Sequence, residues 1–379
     1  MSGPVFIASA RRSAVLPRRG AFRSLEVDAL AAPVMAACLA DAGIEGDEVD
    51  EVIAGNALYG GGNPARRAAL LAGLPDSVPA ITVDRQCCAG LDAILYGARL
   101  IESGAADCVL AGGVESFSRA PIRATRPLEP DQEPEAYDRP PFTPWPARDP
   151  DMAVAAASLA QAMNISTDRQ VDWTVESHRK AFEALSSDRA REIVTIEHMG
   201  WDGYTRKLRP AACLRSRKLA GAEPTGILAA TTAVEADASA FVALMSPRLA
   251  ARKGIAQAMR LTDGCSRGAL PELPGLAPIA ATSRLFRKAG LSERDLAVAE
   301  VMEAFAAQAI ACVDALRLPE TIVNRGGGAL ARGHPIGASG AILAVRLFHE
   351  LAKERPGAFG LATIAAAGGL ATSVLMQRA

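Results

Sequence analysis

Short apolar runs alternate along the chain with longer segments whose apolar residues recur every three or four positions. Runs of the first kind predict buried strands, and segments of the second kind predict helices packed against them. The predicted strands cover residues 5–8, 49–54, 80–83, 108–111, 241–245, 296–300 and 361–367. The predicted helices cover residues 27–42, 65–72, 91–101, 152–163, 168–186, 247–253, 285–289, 304–316 and 341–355. This alternation predicts an α/β fold with helices on both faces of a sheet.

Two features modify this pattern. Residues 119–150 are rich in proline and charge, which predicts a long irregular excursion, and loops of that length are usually functional or disordered. The runs ADCVLAGG (106–113) and LATIAAAGG (361–369) are both apolar, follow a predicted helix and end in Gly-Gly. They indicate two similar α/β halves, with the excursion inside the first.

Composition narrows the class of protein. The chain has 379 residues, half of them hydrophobic, which is enough for two or three domain-sized units. A net charge of −1 and 4% aromatic residues argue against nucleic acid as a partner. The first residues lack a signal-peptide pattern, and no run approaches eighteen apolar residues. Seven cysteines without a Cys-x-x-Cys pair favour a reducing compartment, so we expect a cytoplasmic protein that does not enter the membrane.

One cysteine, Cys87, lies at the turn between a predicted strand and a predicted helix, in the stretch VDRQCCAGLDAI. The free N–H groups and the dipole of a helix N-terminus stabilise an anion, so we expect a lowered thiol pKa and a nucleophile. Small residues at Ala89 and Gly90 would let a substrate approach the sulfur. The alternative is that Cys87 is a small buried apolar residue, as most free cysteines are.

A single histidine, His334, lies within the glycine-rich stretch NRGGGALARGHPIGASGA. A neutral histidine beside a cysteine accepts its proton or donates a hydrogen bond to an oxyanion, although a lone histidine is often structural. The four histidines form no H-E-x-x-H pattern, and neither a dinucleotide nor a phosphate-loop motif is present. We therefore expect neither a metal nor a nucleotide cofactor.

Five segments together resemble the thiolase family along nearly the whole chain. They are GNALYGGGNPARRAALLAGLP (55–75), VDRQCCAGLDAI (83–94), AGGVESFSRAP (111–121), EAFAAQ (303–308) and GHPIGASGA (333–341). The resemblance implies two similar halves in a five-layered α/β/α/β/α arrangement, with a loop domain inserted in the first. The expected boundaries are 1–117 plus 246–258 for the first half, 118–245 for the inserted domain and 259–379 for the second half.

The resemblance also implies the chemistry. Cys87 would accept an acyl group from a coenzyme A thioester and form an acyl-enzyme intermediate. His334 would activate Cys87, and the backbone N–H groups of Cys87 and Gly369 would line an oxyanion hole. Thiolases use no metal or redox cofactor and assemble as dimers or as dimers of dimers, so we expect a homodimer or homotetramer.

The chain departs from the family at catalytic positions. Met302 stands where thiolases carry an asparagine that holds an oxyanion-hole water, and the methionine side chain offers no comparable hydrogen bond. Ala365 stands where thiolases carry a second cysteine, which exchanges the α-proton of an acyl group. Glu303 is a candidate substitute acid or base, although in the family this glutamate is structural.

The substrate-binding region has diverged as well. We expect the acyl-CoA to contact Phe117, Met152 and Ala233, and the last of these lies where the family carries an Asn-Ala-Ser-Gly stretch near the pantetheine. The expected function is a thiolase-like acyltransferase acting by Claisen-type condensation or thiolysis of 3-oxoacyl-CoA, with altered acid–base chemistry. The alternatives are acyl transfer without condensation, thioester hydrolysis, or a catalytically impaired subunit of an acyltransferase complex.

Overall fold

The computed structural model describes residues 4–185, 192–255 and 259–379. The strands are β1 (Val5–Ser13), β2 (Leu16–Pro17), β3 (Glu51–Gly55), β4 (Ala80–Val83), β5 (Cys108–Ser116), β6 (Arg123–Thr125), β7 (Glu135–Tyr137), β8 (Ile193–Val194), β9 (Lys218–Ala220), β10 (Ile227–Leu228), β11 (Ala236–Met245), β12 (Met259–Gly268), β13 (Leu296–Val301), β14 (Phe359–Ala366) and β15 (Leu370–Arg378). The helices are α1 (Val27–Ala42), α2 (Pro64–Leu71), α3 (Ala89–Glu102), α4 (Met152–Ala162), α5 (Thr167–Leu185), α6 (Pro210–Leu214), α7 (Pro247–Arg252), α8 (Ala277–Ala289), α9 (Ala306–Leu316), α10 (Ala329–Arg332) and α11 (Ile336–Leu351).

Hydrogen bonds join most of the strands into one sheet, in the order β13-β14-β15-β12-β1-β11-β5-β3-β4. The pairs β13–β14, β5–β3 and β3–β4 are parallel, and the pairs between them are antiparallel. The first and second parts of the chain meet at the β1–β12 pair, where Val5 lies opposite Leu261. The site described below lies between these two parts of the sheet.

The helices complete five layers. Helices α3 and α11 pack against each other between the two parts of the sheet, and α11 contacts β5 and β11 on one side and β13 and β14 on the other. Helices α1 and α2 cover the outer face of the first part, and α8 and α9 cover that of the second. The main apolar core combines residues of α3, α11 and both parts of the sheet. The expected five-layered α/β/α/β/α fold is therefore confirmed.

The two halves repeat the same strand order. β3-β5-β11-β1 in the first half corresponds to β13-β14-β15-β12 in the second, with the same sequence of parallel and antiparallel pairs. The two strands predicted from these runs, β5 and β14, occupy equivalent positions, although β5 continues through its Gly-Gly pair to Ser116. The predicted internal similarity is thus present in the topology.

One expected boundary is wrong. Residues 236–245, which the sequence analysis assigned to the inserted domain, form β11, and β11 lies between β1 and β5 in the sheet of the first half. All of its residues are buried because neighbouring strands and helices cover both edges and both faces. The inserted segment therefore ends before Ala236. Residue 186 of a predicted helix and residues 256–258 of the expected first half lie outside the described residues.

The inserted segment lies beside the second half. The excursion contains a short hairpin of β6 and β7, and α4 and α5, which follow it, both pack against α9. Helix bounds also differ from the prediction: α8 begins at Ala277 rather than at residue 285, and α11 covers Ile336–Leu351 rather than 341–355. Small residues in the first turns of both helices hide the apolar period there. Strands β1 and β5 extend beyond their predicted ends, to Ser13 and Ser116. Among the described residues, no helix combines the length and hydrophobicity needed to cross a bilayer.

Candidate active site

Cys87 lies in the turn between β4 and α3, just before the first residue of the helix. Gln86, which precedes it, has a left-handed backbone with φ of 50°. Its N–H donates a hydrogen bond of 2.7 Å to the Asp84 carboxylate. This bond holds the tight turn that brings Cys87 to the wall of a cavity between the two halves.

His334, from the second half, faces Cys87. The distance between His334 Nε2 and Cys87 Sγ is 3.1 Å, and that between His334 Nδ1 and Ser339 Oγ is 2.6 Å. The Ser339 hydroxyl donates its proton to the Pro335 carbonyl at 2.9 Å, so its oxygen accepts from Nδ1–H. Nε2 is then the unprotonated nitrogen, and it points at the thiol. This is the arrangement that a general base requires.

The loss of water around Cys87 and His334 determines whether each side chain is charged. Burial raises the pKa of Cys87 to about 12, although the backbone N–H groups of Cys87 and Ala367 act to lower it. Burial lowers the pKa of His334 to about 4. The expectation of a lowered thiol pKa is therefore wrong, because the loss of water around the sulfur outweighs the nearby helix terminus. Both groups are neutral near pH 7, so the thiol must lose its proton to Nε2 as it attacks.

Backbone N–H groups surround the sulfur. Those of Cys87 and Ala367 both face Sγ and favour its negative charge. The expected second donor, Gly369, lies instead in the turn from β14 to β15, where its carbonyl accepts from the Ala269 N–H at 2.6 Å. Ala367 follows the last residue of β14, so its N–H is free of the strand ladder. The second backbone N–H group that faces the sulfur thus belongs to Ala367 rather than to the expected Gly369.

A largely apolar cavity of about 340 Å³ contains Cys87 and His334. The three residues expected to bind substrate all line it: Phe117, Met152 and Ala233. The proline-rich excursion contributes Phe142 to the same wall. The cavity is therefore formed by both halves and by the inserted segment together.

Glu303 is not available as an acid or base in this cavity. Its side chain is 1% exposed, and its carboxylate accepts hydrogen bonds from Trp173 Nε1, Asn324 Nδ2 and Ser177 Oγ at 3.0, 2.9 and 2.8 Å. The Leu330 N–H donates a further bond of 3.2 Å. With both oxygens engaged away from Cys87, Glu303 holds α5 and α10 in place, which contradicts its expected role as a substitute base.

Few groups near Cys87 can move a proton. Ala365 lines the cavity, whereas Met302 is 1% exposed and packs in the main core. Among the described lining residues, the titratable side chains are Cys87, His334 and Glu235, and Glu235 is half exposed and paired with Arg18 at 2.8 Å. Within the described residues, no group of three or more His, Cys, Asp or Glu is arranged to hold a metal ion.

A cysteine–histidine pair between two similar α/β halves, with backbone N–H groups facing the sulfur, has the arrangement of a nucleophile with its base and its oxyanion donors. Residues 5–246 match the thiolase N-terminal domain, and residues 256–378 match the thiolase C-terminal domain. The chain belongs to the thiolase family.

Relatives of the chain match it almost from end to end. YhfS of Bacillus subtilis, provisionally named an acetyl-CoA C-acetyltransferase, is 35% identical over 98% of both chains. VraB of Staphylococcus aureus, with the same provisional name, is 33% identical over 98% of both. The crystal structure of Bacillus anthracis acetyl-CoA acetyltransferase has a TM-score of 0.93 and 30% identity, and the match covers 100% of this chain and 99% of that one. Acat5 thiolase of Ascaris suum, crystallised in complex with coenzyme A, has a TM-score of 0.92 and 26% identity over 99% of this chain and 100% of its own.

Proposed function

We propose that Cys87 takes an acyl group from an acyl-CoA thioester and that the enzyme passes this group to an acceptor. The observation that carries the proposal is the 3.1 Å approach of His334 Nε2 to Cys87 Sγ, with Ser339 fixing Nε2 as the acceptor. The crystallised coenzyme A complex of Acat5 and the names of YhfS and VraB support coenzyme A thioesters as the donors. The reaction needs no metal or redox cofactor.

The acylation step follows from the geometry. The Cys87 thiol gives its proton to His334 Nε2 while Sγ forms a bond to the thioester carbonyl carbon. The developing oxyanion accepts hydrogen bonds from the N–H groups of Cys87 and Ala367. The bond to the coenzyme A sulfur then breaks, and the imidazolium returns the proton to that sulfur. The products are acyl-Cys87 and free coenzyme A.

In the second step, the transfer of the acyl group from Cys87, the side chain of Ala365 offers no acid or base. Condensation requires removal of an α-proton, and a positioned base typically contributes about 10²–10⁴-fold to such a step. The methyl group of Ala365 lies in the cavity where thiolases have a thiol, and Glu303 is engaged elsewhere. We therefore propose a Claisen-type condensation or thiolysis with altered acid–base chemistry. Ala365 also supports a second candidate, in which acyl-Cys87 reacts with water or with an acceptor that needs no α-deprotonation.

We further propose a homodimer, or a homotetramer built from it. β4 is the last strand of the sheet, and no strand of the described residues pairs with its outer edge. Ile81 on β4 is 50% exposed, and Leu71 on α2, which packs against β4, is 58% exposed. An open apolar edge of this kind favours pairing with another chain. The expected mass in solution is twice or four times that of one chain.

We also propose a reducing, cytoplasmic location, because none of the seven cysteines, all within the described residues, forms a disulfide.

The first test is the intact mass of the protein after incubation with a series of acyl-CoA thioesters. We expect wild type to gain the mass of one acyl group from at least one donor, and Cys87→Ala to gain none. The matched control is Cys265→Ala, which removes another partly accessible thiol and should acquire the same adduct as wild type. No adduct with any donor would contradict acyl transfer and favour an impaired subunit of a larger complex.

The second test separates the two candidates for the later step. Wild type incubated with acetyl-CoA in D₂O should exchange the α-hydrogens at the background rate if no base reaches them. Ala365→Cys should gain exchange, because it restores a thiol in the cavity, whereas Ala365→Ser should not. Exchange well above background in wild type would instead indicate another base and favour condensation.

A further inference from the structure

The catalytic pair depends on how two helices from different halves meet. Cys87 lies two positions before the first residue of α3, and His334 lies two positions before the first residue of α11. Each residue is therefore placed by the start of its helix. The 3.1 Å distance between Sγ and Nε2 is set where these two helix starts approach each other.

Glycines allow this approach. A Cβ on Gly90, in the first turn of α3, would lie 2.7 Å from the Gly337 carbonyl oxygen, and one on Gly113 of β5 would lie 2.1 Å from the same atom. A Cβ on Gly337 itself would lie 2.7 Å from the Cα of Asn56, which follows β3. The backbones of α3 and β5 thus contact the backbone of α11 with no side chain between them. Because His334 lies just before α11, a small shift of α11 would also move His334.

A buried carboxylate lies at this junction. Glu115, near the end of β5, is 0% exposed, and its Oε2 accepts from the Gly337 N–H at 2.9 Å and the Ala57 N–H at 3.0 Å. Its Oε1 accepts from Asn56 Nδ2 at 2.7 Å and the Leu58 N–H at 3.3 Å. A single side chain therefore joins the first half to the first turn of α11.

Among the described residues, no other side chain caps helix α11. The residue at its N-cap is Pro335, whose side chain makes no capping hydrogen bond; its carbonyl accepts from the Ala338 and Ser339 N–H groups, whereas the Gly337 N–H needs an acceptor from elsewhere. Glu115 supplies the acceptor for the Gly337 N–H. The tethered Gly337 lies between His334 and Ser339, the two residues that set the position and the tautomer of the base.

We propose that Glu115 is a positioning residue for catalysis, which fixes the first turn of α11 so that His334 Nε2 faces Cys87 Sγ. Glu115 touches neither the sulfur nor the imidazole within hydrogen-bond distance and acts through Gly337. Small misplacements of reacting groups cost about 10²-fold in rate, so a loosened α11 should slow proton transfer more than it weakens substrate binding. The proposal rests on the Cys87–His334 pair of the proposed function and not on the identity of the acyl donor.

The test is alkylation of Cys87 by iodoacetamide, followed by mass mapping of the modified peptide. Sγ displaces iodide from the reagent while the thiol proton leaves through Nε2, so the rate reports the pair without any acyl donor. We expect Glu115→Ala to slow alkylation of Cys87 by 10- to 100-fold. Glu115→Gln should lose less, because its amide oxygen still accepts from the Gly337 N–H.

A matched control is Glu300→Gln, which neutralises another fully buried carboxylate, on β13 of the second half, and should alkylate like wild type. Thermal unfolding checks that each variant is folded. A folded Glu115→Ala that alkylates at the wild-type rate would overturn the proposal. If Glu115→Ala does not fold, Glu115→Gln decides: a 3- to 10-fold loss supports the proposal, and the wild-type rate overturns it.

Where a donor has been found, the acylation kinetics give an independent readout. Glu115→Ala should lower kcat by 10-fold or more and change KM by less than threefold, because the substrate contacts remain. Failure of the proposed function would appear as absence of any acyl adduct on wild type, while alkylation still measures the effect of Glu115. The two failures are therefore distinguishable.

Discussion

Ser339 determines which nitrogen of His334 faces the sulfur. Its hydroxyl has one proton, which goes to the Pro335 carbonyl, so its oxygen accepts from Nδ1 at 2.6 Å. Without this bond the imidazole would be free to take the other tautomer, in which Nε2–H faces the thiol and accepts nothing. The reactivity of Cys87 thus depends on a hydroxyl that does not touch it.

We expect Ser339→Ala to slow acylation and alkylation of Cys87 by about 10- to 100-fold, since a base in the wrong tautomer loses part of its 10²–10⁴-fold contribution. The matched control is Ser373→Ala, which removes a buried hydroxyl on β15 that bonds to Thr363 and Thr282. The rate constants of alkylation at one pH provide the comparison. Equal losses of alkylation rate in Ser339→Ala and Ser373→Ala would mean that the slower reaction comes from a general loosening of the structure and not from a change of the His334 tautomer.

At the residue scale, the sequence predicted the groups with distinctive chemistry. A cysteine at a strand–helix turn and a histidine among glycines are visible in the residue types, and the structure places Cys87 Sγ 3.1 Å from His334 Nε2. Their catalytic roles stay a prediction. Ala367 was missed because its contribution is a backbone N–H, which no residue type reveals. The pKa of Cys87 was predicted in the wrong direction because desolvation depends on tertiary packing that local sequence does not contain.

Among the elements, the contact between α3, β5 and α11 limits what can replace glycine. Gly113 has an ordinary extended backbone, so the constraint there is spatial and not conformational. A methyl group at this position would collide with the Gly337 carbonyl oxygen at 2.1 Å, and the obstacle is backbone that cannot rotate away.

We expect Gly113→Ala to lower the free energy of unfolding by about 1–3 kcal/mol or more, in the range of overpacked cores. It should also slow alkylation of Cys87, because α11 has to move away from β5. Gly268→Ala is the control, since a Cβ there meets nothing within 4 Å. Urea unfolding measures the difference in free energy of unfolding between Gly113→Ala and Gly268→Ala. Equal midpoints for the two variants would show that β5 and α11 can move apart at little cost and would contradict the prediction.

Two strands, β12 and β15, were not predicted from the sequence, because polar residues interrupt their apolar positions. No strand was predicted over residues 259–268 or 370–378, yet both lie inside the sheet as β12 and β15. β12 carries Arg260, Asp263 and Arg267 among its apolar residues, and β15 carries Thr372 and Ser373, whose hydroxyls bond to neighbouring side chains. Such strands lack a continuous apolar run, so only their partners in the sheet identify them.

On the scale of the whole molecule, buried charges connect the inserted segment to both halves. Arg12 of β1 pairs with Glu192 at 2.6 Å and with Asp202 at 2.7 Å, and Arg346 of α11 pairs with Glu192 and Glu350. Each of these side chains is at most 7% exposed. Removing one partner of such a group leaves a buried charge unpaired, which typically costs about 3–5 kcal/mol.

Glu300 lies among these charges, and no group of the described residues forms a hydrogen bond with either of its carboxylate oxygens. Burial raises the pKa of Glu300 to about 7, and burial raises that of Glu115 to about 7 as well. Between about pH 4.5 and 7 the folded state keeps these protons and the unfolded state does not, so the free energy of unfolding falls as the pH rises. Each carboxylate contributes about 3 kcal/mol to that fall.

We therefore expect the melting temperature of wild type to fall relative to that of Glu300→Gln between pH 5 and pH 7.5. The buried histidines, whose pKa values burial lowers, act in the opposite direction and act alike in both proteins. The side-chain amide in Glu300→Gln is neutral at every pH in this range, so of the two carboxyl groups only Glu115 still contributes to the pH dependence of that variant. Thermal melts across this range compare the slopes. Parallel curves for the two proteins would contradict the assignment of the effect to Glu300.

The paired halves and the excursion were predictable because repeated apolar runs and proline-rich stretches are local features. The position of β11 and the β1–β12 junction were not, since both depend on pairing between residues far apart in the chain. Assigning β11 to the inserted domain was an error of this kind.

The separation of the two catalytic residues along the chain has a consequence for protein synthesis. The ribosome makes Cys87 first, and 247 positions separate it from His334. Throughout that interval the growing chain carries the thiol without its base, and α3 lacks the helix that covers it in the finished molecule. The pair on which the proposed acyl transfer depends therefore forms only when the later half docks onto the earlier one.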